Sequence, residues 1–331
     1  MILHPVRVRS FGNTDLVVSE FGLGCARIGG IFQNDTGGFL NLLSASREAG
    51  INFFDTADMY SQGESEVLIG RAFRSVRSKV IIASKAGYCL PSRRRIAARL
   101  KPLLRPLIRL LGIRRDRLPA AARGTLAQDF SPSYLSRAVE GSLRRLRTDH
   151  LDLFQLHSPP ADVVERGEWV SALDALKRAG KIRYYGVSCD TVEAGLAALR
   201  FPGVSSLQFN LNLLEQGAAD ALVPEARGKG VAGIAREVLA NGLLAKRAEE
   251  VDLAAYCRSA DEQRLREEQL ARFRQRAGER RISLARLALD YVAGVEGVSV
   301  SLLGVRSVDQ LRGLLSSLTG GVNLEVAGRS P

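Results

Sequence analysis

The chain has no long apolar run. Nowhere in its 331 residues do about 18 uncharged apolar residues follow one another, the length a membrane-spanning helix needs. The N-terminus, MILHPVRVRS, lacks the extended apolar core of a secretory signal. Cysteine is scarce: Cys25, Cys89, Cys189 and Cys257 are widely spaced and form no C-x-x-C pair. That argues against disulfides and metal sites and makes a reducing cytoplasm the expected compartment. Phosphate-cradling motifs are missing too. The first predicted strand gives Gly22-Leu23-Gly24-Cys25-Ala26-Arg27, without the third glycine of a G-x-G-x-x-G turn, and no P-loop occurs. A doubly wound dinucleotide fold is therefore disfavoured.

What the chain does have is positive charge, and in one place. Its formal net charge is +12. Residues 93–123 hold eleven Arg or Lys against one acid, Asp116, so this segment supplies +10 and the remainder is close to neutral.

Eight short apolar runs alternate with amphipathic stretches. The predicted strands are 19–25, 51–57, 80–87, 151–158, 182–189, 205–211, 230–236 and 298–304. Helical patterns cover roughly 37–49, 64–74, 133–146, 168–179, 191–200, 217–228, 283–293 and 307–318. Ser131 followed by Pro132 is a helix-start signal, with serine at the N-cap and proline at the first helical position. Near-continuous apolar strands alternating with helices imply a parallel sheet covered by helices. Eight such units imply an α/β fold of the (β/α)8, or TIM-barrel, type, with residues 1–331 forming one domain. Residues 7–21 read as an N-terminal hairpin turning at Gly12-Asn13. Long insertions follow the third strand (89–131) and the seventh (239–280), the latter with an extra helix at 261–277. Both leave C-terminal strand ends, where barrel enzymes carry their sites.

Those strand ends are polar. In INFFDTADMY (51–60) a buried run stops on Asp55, with Asp58 and Tyr60 just beyond; the next two strands end on Lys85 and His157. A carboxylate ending an apolar run is costly unless paired, and Lys85 on the adjacent strand is its expected partner. Asp55 with Lys85 could be a structural ion pair alone. The four groups together make a proton-transfer device. A free phenol, with a pKa of about 10, is a poor acid at neutral pH. Lys85 would stabilise the phenolate, Asp55 would hold the ammonium, and His157 would orient a carbonyl. Tyr60 would then act as general acid.

The blocks INFFDTADMYSQGESEVLIGRAF, VIIASKAG, LDLFQLHSP, GKIRYYGVS and LLGVRSVDQL resemble, in order, the signatures of the aldo-keto reductases, over about residues 7–318. The resemblance implies a bacterial-type, NADPH-dependent oxidoreductase that reduces an aldehyde or ketone, or oxidises the alcohol, by hydride transfer with a tyrosine acid. It puts the catalytic set on Asp55, Tyr60, Lys85 and His157. It implies cofactor contacts from Cys25, Ala26, Asp55, Ser188, Cys189 and Gln208, where Cys189 replaces the family's usual Asn. Arg236 stands where an aromatic ring commonly stacks on the nicotinamide. Glu237, Leu239, Asn241, Gly242 and Arg247 match the loop over the pyrophosphate. Gly304, Arg306, Ser307 and Gln310 match the last loop, and Arg306 with Ser307 suits a 2′-phosphate and so NADP+/NADPH. Gly313 and Leu314 replace a Glu-Asn pair that usually contacts adenine. A second implied reading is a non-catalytic, NADPH-binding redox-sensing subunit.

For the basic insertion three readings compete. A lid would lay Ile96, Leu100, Leu103, Leu104, Leu107, Ile108 and Leu111 over the pocket. A membrane-surface or oligomer contact suits a basic amphipathic segment. An anion funnel would draw in a charged carbonyl substrate. No nucleic-acid motif accompanies the charge. The oligomeric state is left open.

Overall fold

The computed structural model describes residues 6–26, 35–89, 126–257 and 259–319. Strands β1 (Val8–Ser10) and β2 (Val17–Ser19) form an antiparallel hairpin. Its turn uses Gly12 at φ +54°, where a Cβ would lie 2.4 Å from the Gly230 carbonyl oxygen, so only glycine fits. Asn13 N–H donates to that same carbonyl at 2.8 Å, fastening the hairpin to the barrel.

Eight parallel strands follow and close on themselves: β3 (Phe21–Gly24), β4 (Phe53–Asp55), β5 (Ile81–Ala86), β6 (Leu151–His157), β7 (Ile182–Ser188), β8 (Val204–Asn210), β9 (Ala232–Arg236) and β10 (Val298–Leu303). All eight lie within the runs read from the sequence or within one residue of them. Side chains alternate between two apolar layers, as the period of a strand demands. Phe54, Ile82, Phe154, Val187 and Leu207 face the surrounding helices. Phe53, Ile81, Ala83, Leu153, Ile234, Val300 and Leu302 fill the lumen. Phe11, Leu16 and Val18 from the hairpin join the lumen cluster and plug its N-terminal end. Among the described residues, the other end of the lumen carries polar side chains.

The covering helices are α1 (Thr36–Glu48), α2 (Glu64–Phe73), α3 (Pro132–Leu146), α4 (Ala161–Arg166), α5 (Val170–Arg178), α6 (Val192–Ala198), α7 (Gly217–Ala221), α8 (Val223–Gly228), α9 (Ala260–Glu279), α10 (Leu284–Gly294) and α11 (Val308–Thr319). Ser131 caps α3 by accepting from Tyr134 N–H, with Pro132 in the first turn, as its sequence signal predicts. Two helices differ from the sequence reading. The single helix expected at 217–228 breaks at Leu222, because Pro224 has no N–H to continue the ladder. The short α4 falls where a loop was expected. The extra helix expected at 261–277 is α9, which builds a separate apolar cluster with Leu213, Leu243, Leu244 and Leu287. Within the first insertion, residues 90–125 lie outside the described residues, and with them the whole of 93–123. No described helix is long and apolar enough to cross a membrane.

Candidate active site

Six consecutive barrel strands each turn one polar side chain into the C-terminal end of the lumen: Asp55, Lys85, His157, Ser188, Gln208 and Arg236. Asp55, Lys85, His157 and Arg236 keep the inward parity of lumen residues below them, while Ser188 and Gln208 alternate with Val187 and Leu207 of the outer layer. In β4 and β5, Phe53 and Ala83 point inward, so Asp55 and Lys85, two residues on, do too.

These groups satisfy one another in a line. Ser188 Oγ donates to Gln208 Oε1 at 3.0 Å, and Gln208 Nε2 donates to Asp55 Oδ1 at 2.9 Å. β8 and β4 face each other across the barrel, so this bond spans the lumen. Lys85 Nζ donates to Asp55 Oδ2 at 2.7 Å and to the Thr56 carbonyl at 3.0 Å. Lys85 is wholly buried. An ion pair in that position holds only because both carboxylate oxygens and the ammonium are bonded. Burial pulls the Lys85 pKa down, but Asp55 and Tyr60 outweigh it and hold the ammonium charged.

Tyr60 sits on the turn after β4, where Ser61 and Gln62 take left-handed backbone and Gly63 follows at φ +87°. Its ring centroid lies 5.2 Å from Lys85 Nζ and 5.7 Å from the His157 ring, edge to face. Burial raises the phenol pKa above its ordinary value; the Lys85 ammonium pulls it part of the way back. The sequence reading weighed only the lysine, and burial proves the larger effect. For His157, burial comes first and the cations Lys85 and Arg236 add to it, holding the pKa well below the usual imidazole value. The ring is therefore neutral at pH 7, and its buried Nδ1 has no partner among the described residues.

The other residues named from the sequence fall into separate groups. Cys25 and Cys189 turn their thiols into the outer apolar layer, and burial pushes the Cys189 pKa up to about 12. At the rim they offer main chain: Cys25 N–H donates to the Asp55 carbonyl at 2.8 Å, and the Cys189 carbonyl accepts from Arg236 Nη2 at 3.2 Å. Ala26 is exposed beside them. Arg236 also pairs with Asp190, while its buried Nε has no partner among the described residues. In the β9 loop, Asn241 Nδ2 donates to Glu237 Oε2 at 3.1 Å, and Gly242 N–H donates to the Leu239 carbonyl at 2.9 Å. Arg247 N–H donates to Glu250 Oε2 at 3.3 Å. After β10 come exposed Gly304 and Arg306; Ser307 Oγ accepts from Gln310 N–H at 3.2 Å, and Gln310 Oε1 accepts from Arg306 N–H at 2.8 Å. Ser307 and Gln310 thus cap α11.

Four neighbours carry no role in the sequence analysis, where Asp58 appears only in the turn after Asp55. Tyr88 packs its ring edge-on to His157, centroids 4.9 Å apart. Asp190 joins Arg236 to Ser158, whose Oγ donates to it at 2.9 Å. Glu66 is wholly buried and accepts from Ser84 Oγ at 2.6 Å. Asp58 lies half-buried beside it, with its Oδ1 enclosed. A carboxylate in the apolar face of α2 was a readable signal for Glu66; nothing in the sequence marks its partners.

The description Aldo/keto reductase family matches residues 20–321. An uncharacterized oxidoreductase of Bacillus subtilis, YqkF, is 30% identical over 243 residues, 73% of this chain and 68% of that protein. The NADH-specific methylglyoxal reductase of Escherichia coli is 28% identical over 241 residues, 70% of this chain and 67% of that protein. The solved holo form of aldo-keto reductase AKR11C1 from Bacillus halodurans superposes with a TM-score of 0.73 at 27% identity, covering 95% of this chain and 91% of that one. The chain belongs to the aldo/keto reductase family of nicotinamide-dependent oxidoreductases.

Proposed function

We propose that this chain reduces an aldehyde or ketone with NADPH, using Tyr60 as the general acid. The observation that carries the reading is the buried Lys85 ammonium, held by Asp55 and lying against the Tyr60 ring. A carbonyl oxygen lodged between the Tyr60 hydroxyl and the neutral His157 ring would take the phenolic proton. Lys85 would stabilise the phenolate left behind, and Ser188 and Gln208 would keep Asp55 from turning away. Burial around the phenol keeps it protonated until a carbonyl draws the proton off.

The donor set suits a nicotinamide group. Gln208 has a second amide hydrogen, Ser188 has free lone pairs, and Arg236 Nε is buried without a partner among the described residues. When bound, the nicotinamide would supply hydride to the carbonyl carbon. Preference for NADPH rests on the Arg306 guanidinium, exposed at the start of α11, where cation and helix N-terminus suit a phosphate. The E. coli relative is named for NADH, so the two cofactors are to be compared directly.

Tyr60→Phe is expected to lower kcat at least about a hundredfold, the scale of a lost general acid, with NADPH affinity nearly unchanged. Wild-type turnover in that variant would overturn the assignment. In the same titrations the unmodified chain should bind NADPH more tightly than NADH, and Arg306→Ala should narrow the gap by about 1–3 kcal/mol. Equal affinities in the unmodified chain would contradict NADPH preference.

A further inference from the structure

Asp58 shares a turn with Tyr60 and has no role in the proton line. Its N–H donates to the Lys85 carbonyl at 3.0 Å, which pins its backbone beneath the tyrosine. Its Oδ1 is buried without a partner among the described residues. The groups facing it come from three elements. Its own turn offers the Met59 N–H, α2 presents Glu66, and α3 presents Arg145 and the Tyr134 hydroxyl. Cys89, after β5, faces Tyr134 in turn. Arg145 is the one cation of this set, and its Nε pairs with Glu66 at 2.5 Å. Asp58 therefore sits beside a second carboxylate with its nearest cation already committed. Burial above all, then Glu66, raises its pKa to about 7.

The Tyr134 hydroxyl has one hydrogen to give, and it goes to the Tyr88 carbonyl at 3.1 Å. Tyr88 in turn packs its ring against His157. The segment after it is fixed by Cys89 N–H donating to the Ala127 carbonyl at 2.7 Å. We propose that Asp58 is a positioning residue in a proton-operated latch: its neutral carboxyl donates to Tyr134, which donates to the Tyr88 carbonyl and holds the Tyr88 ring as a wall of the carbonyl site. An ionised Asp58 can only accept. It claims the single Tyr134 hydrogen, the Tyr88 carbonyl loses its donor, and the wall loosens. One proton leaves or returns to Asp58, and no other group changes charge. The consequence for substrate binding rests on the reading of Tyr60 and His157 as the carbonyl site.

The test uses the full chain as wild type, Asp58→Asn and Tyr134→Phe, between about pH 5.5 and about pH 8.5, bracketing the Asp58 value of about 7. KM for a neutral aldehyde should rise about fivefold with pH in the wild type, the weight of one net hydrogen bond, with kcat following a separate profile. Asp58→Asn, whose uncharged amide can donate to Tyr134 at every pH, should keep the low KM throughout. Tyr134→Phe should show the high KM throughout. Two readouts need no turnover. The infrared band of a protonated carboxyl should disappear across neutral pH in the wild type and be missing in Asp58→Asn. Hydrogen exchange at the Cys89 amide, corrected for its intrinsic pH dependence, should quicken about fivefold in the wild type and stay constant in Asp58→Asn. A KM inflection that survives in Asp58→Asn, an Asp58 already ionised at the acid end, or Cys89 protection that ignores pH would each overturn the latch. If no carbonyl compound is reduced, the parent reading fails, while the infrared and exchange results still decide the latch.

Discussion

Lys85 and Asp55 are each costly alone and tolerable together. Removing the lysine leaves a buried lumen carboxylate without its bonded ammonium, which costs about 3–5 kcal/mol. Lys85→Met is therefore expected to lower stability by that amount in denaturant titrations. Adding Asp55→Asn should restore most of the loss, because an amide can still bond Gln208 and carries no charge. Activity should not return with it, since the phenol has lost its ammonium. A double variant as unstable as the single one would show that the pair is not the unit of stability. Of this arrangement, Asp55, Lys85 and His157 were legible in the sequence because each ends an apolar run, and in a barrel those ends meet at one rim. Asp58, Tyr88 and Asp190 were not. Their partners Tyr134 and Arg236 come from distant parts of the chain, and a polar residue in a turn looks the same whether it faces solvent or a neighbouring helix.

At the scale of the element, strand pattern carried more information than helix pattern. Each barrel strand is a short apolar run bounded by polar residues, and buried parallel strands have few other ways to read. The helix expected at 217–228 failed for a local reason, Pro224, that the periodicity ignored. The hairpin was legible as a hairpin, but its purpose was not. Phe11, fully buried, stacks 5.9 Å from Phe53 and closes the lumen beneath the site. Phe11→Ala is expected to cost about 3–5 kcal/mol, the range for removing a buried aromatic ring. The loss should appear in unfolding experiments with little change in KM, because the plug and the proton line occupy opposite ends of the barrel. A large change in KM with an unaltered unfolding midpoint would place the hairpin in the site instead of under it.

For the whole molecule, the telling feature is that its charge is tethered to the working end. Residues 93–123 contribute +10 of the net +12. Their base is fixed in the described structure: β5 ends at Ala86, Cys89 N–H bonds the Ala127 carbonyl, and Gln128 Nε2 reaches the Ser158 carbonyl at 2.9 Å, beside His157. On the funnel reading, a concentrated positive charge rooted there would bias the approach of anions toward the barrel mouth, within a Debye length of about 8 Å at physiological salt. The described strands close the barrel, and the described lumen cluster is built from the hairpin and the strands. Replacing 93–123 with a short Gly-Ser linker should therefore leave the thermal midpoint and NADPH binding nearly unchanged. KM should rise, most for an anionic carbonyl compound, and the dependence of kcat/KM on ionic strength should flatten. Unchanged kinetics together with lost sedimentation on anionic vesicles would replace steering by a membrane contact. A chain that no longer folds or binds NADPH would make the segment structural, and neither surface reading would survive.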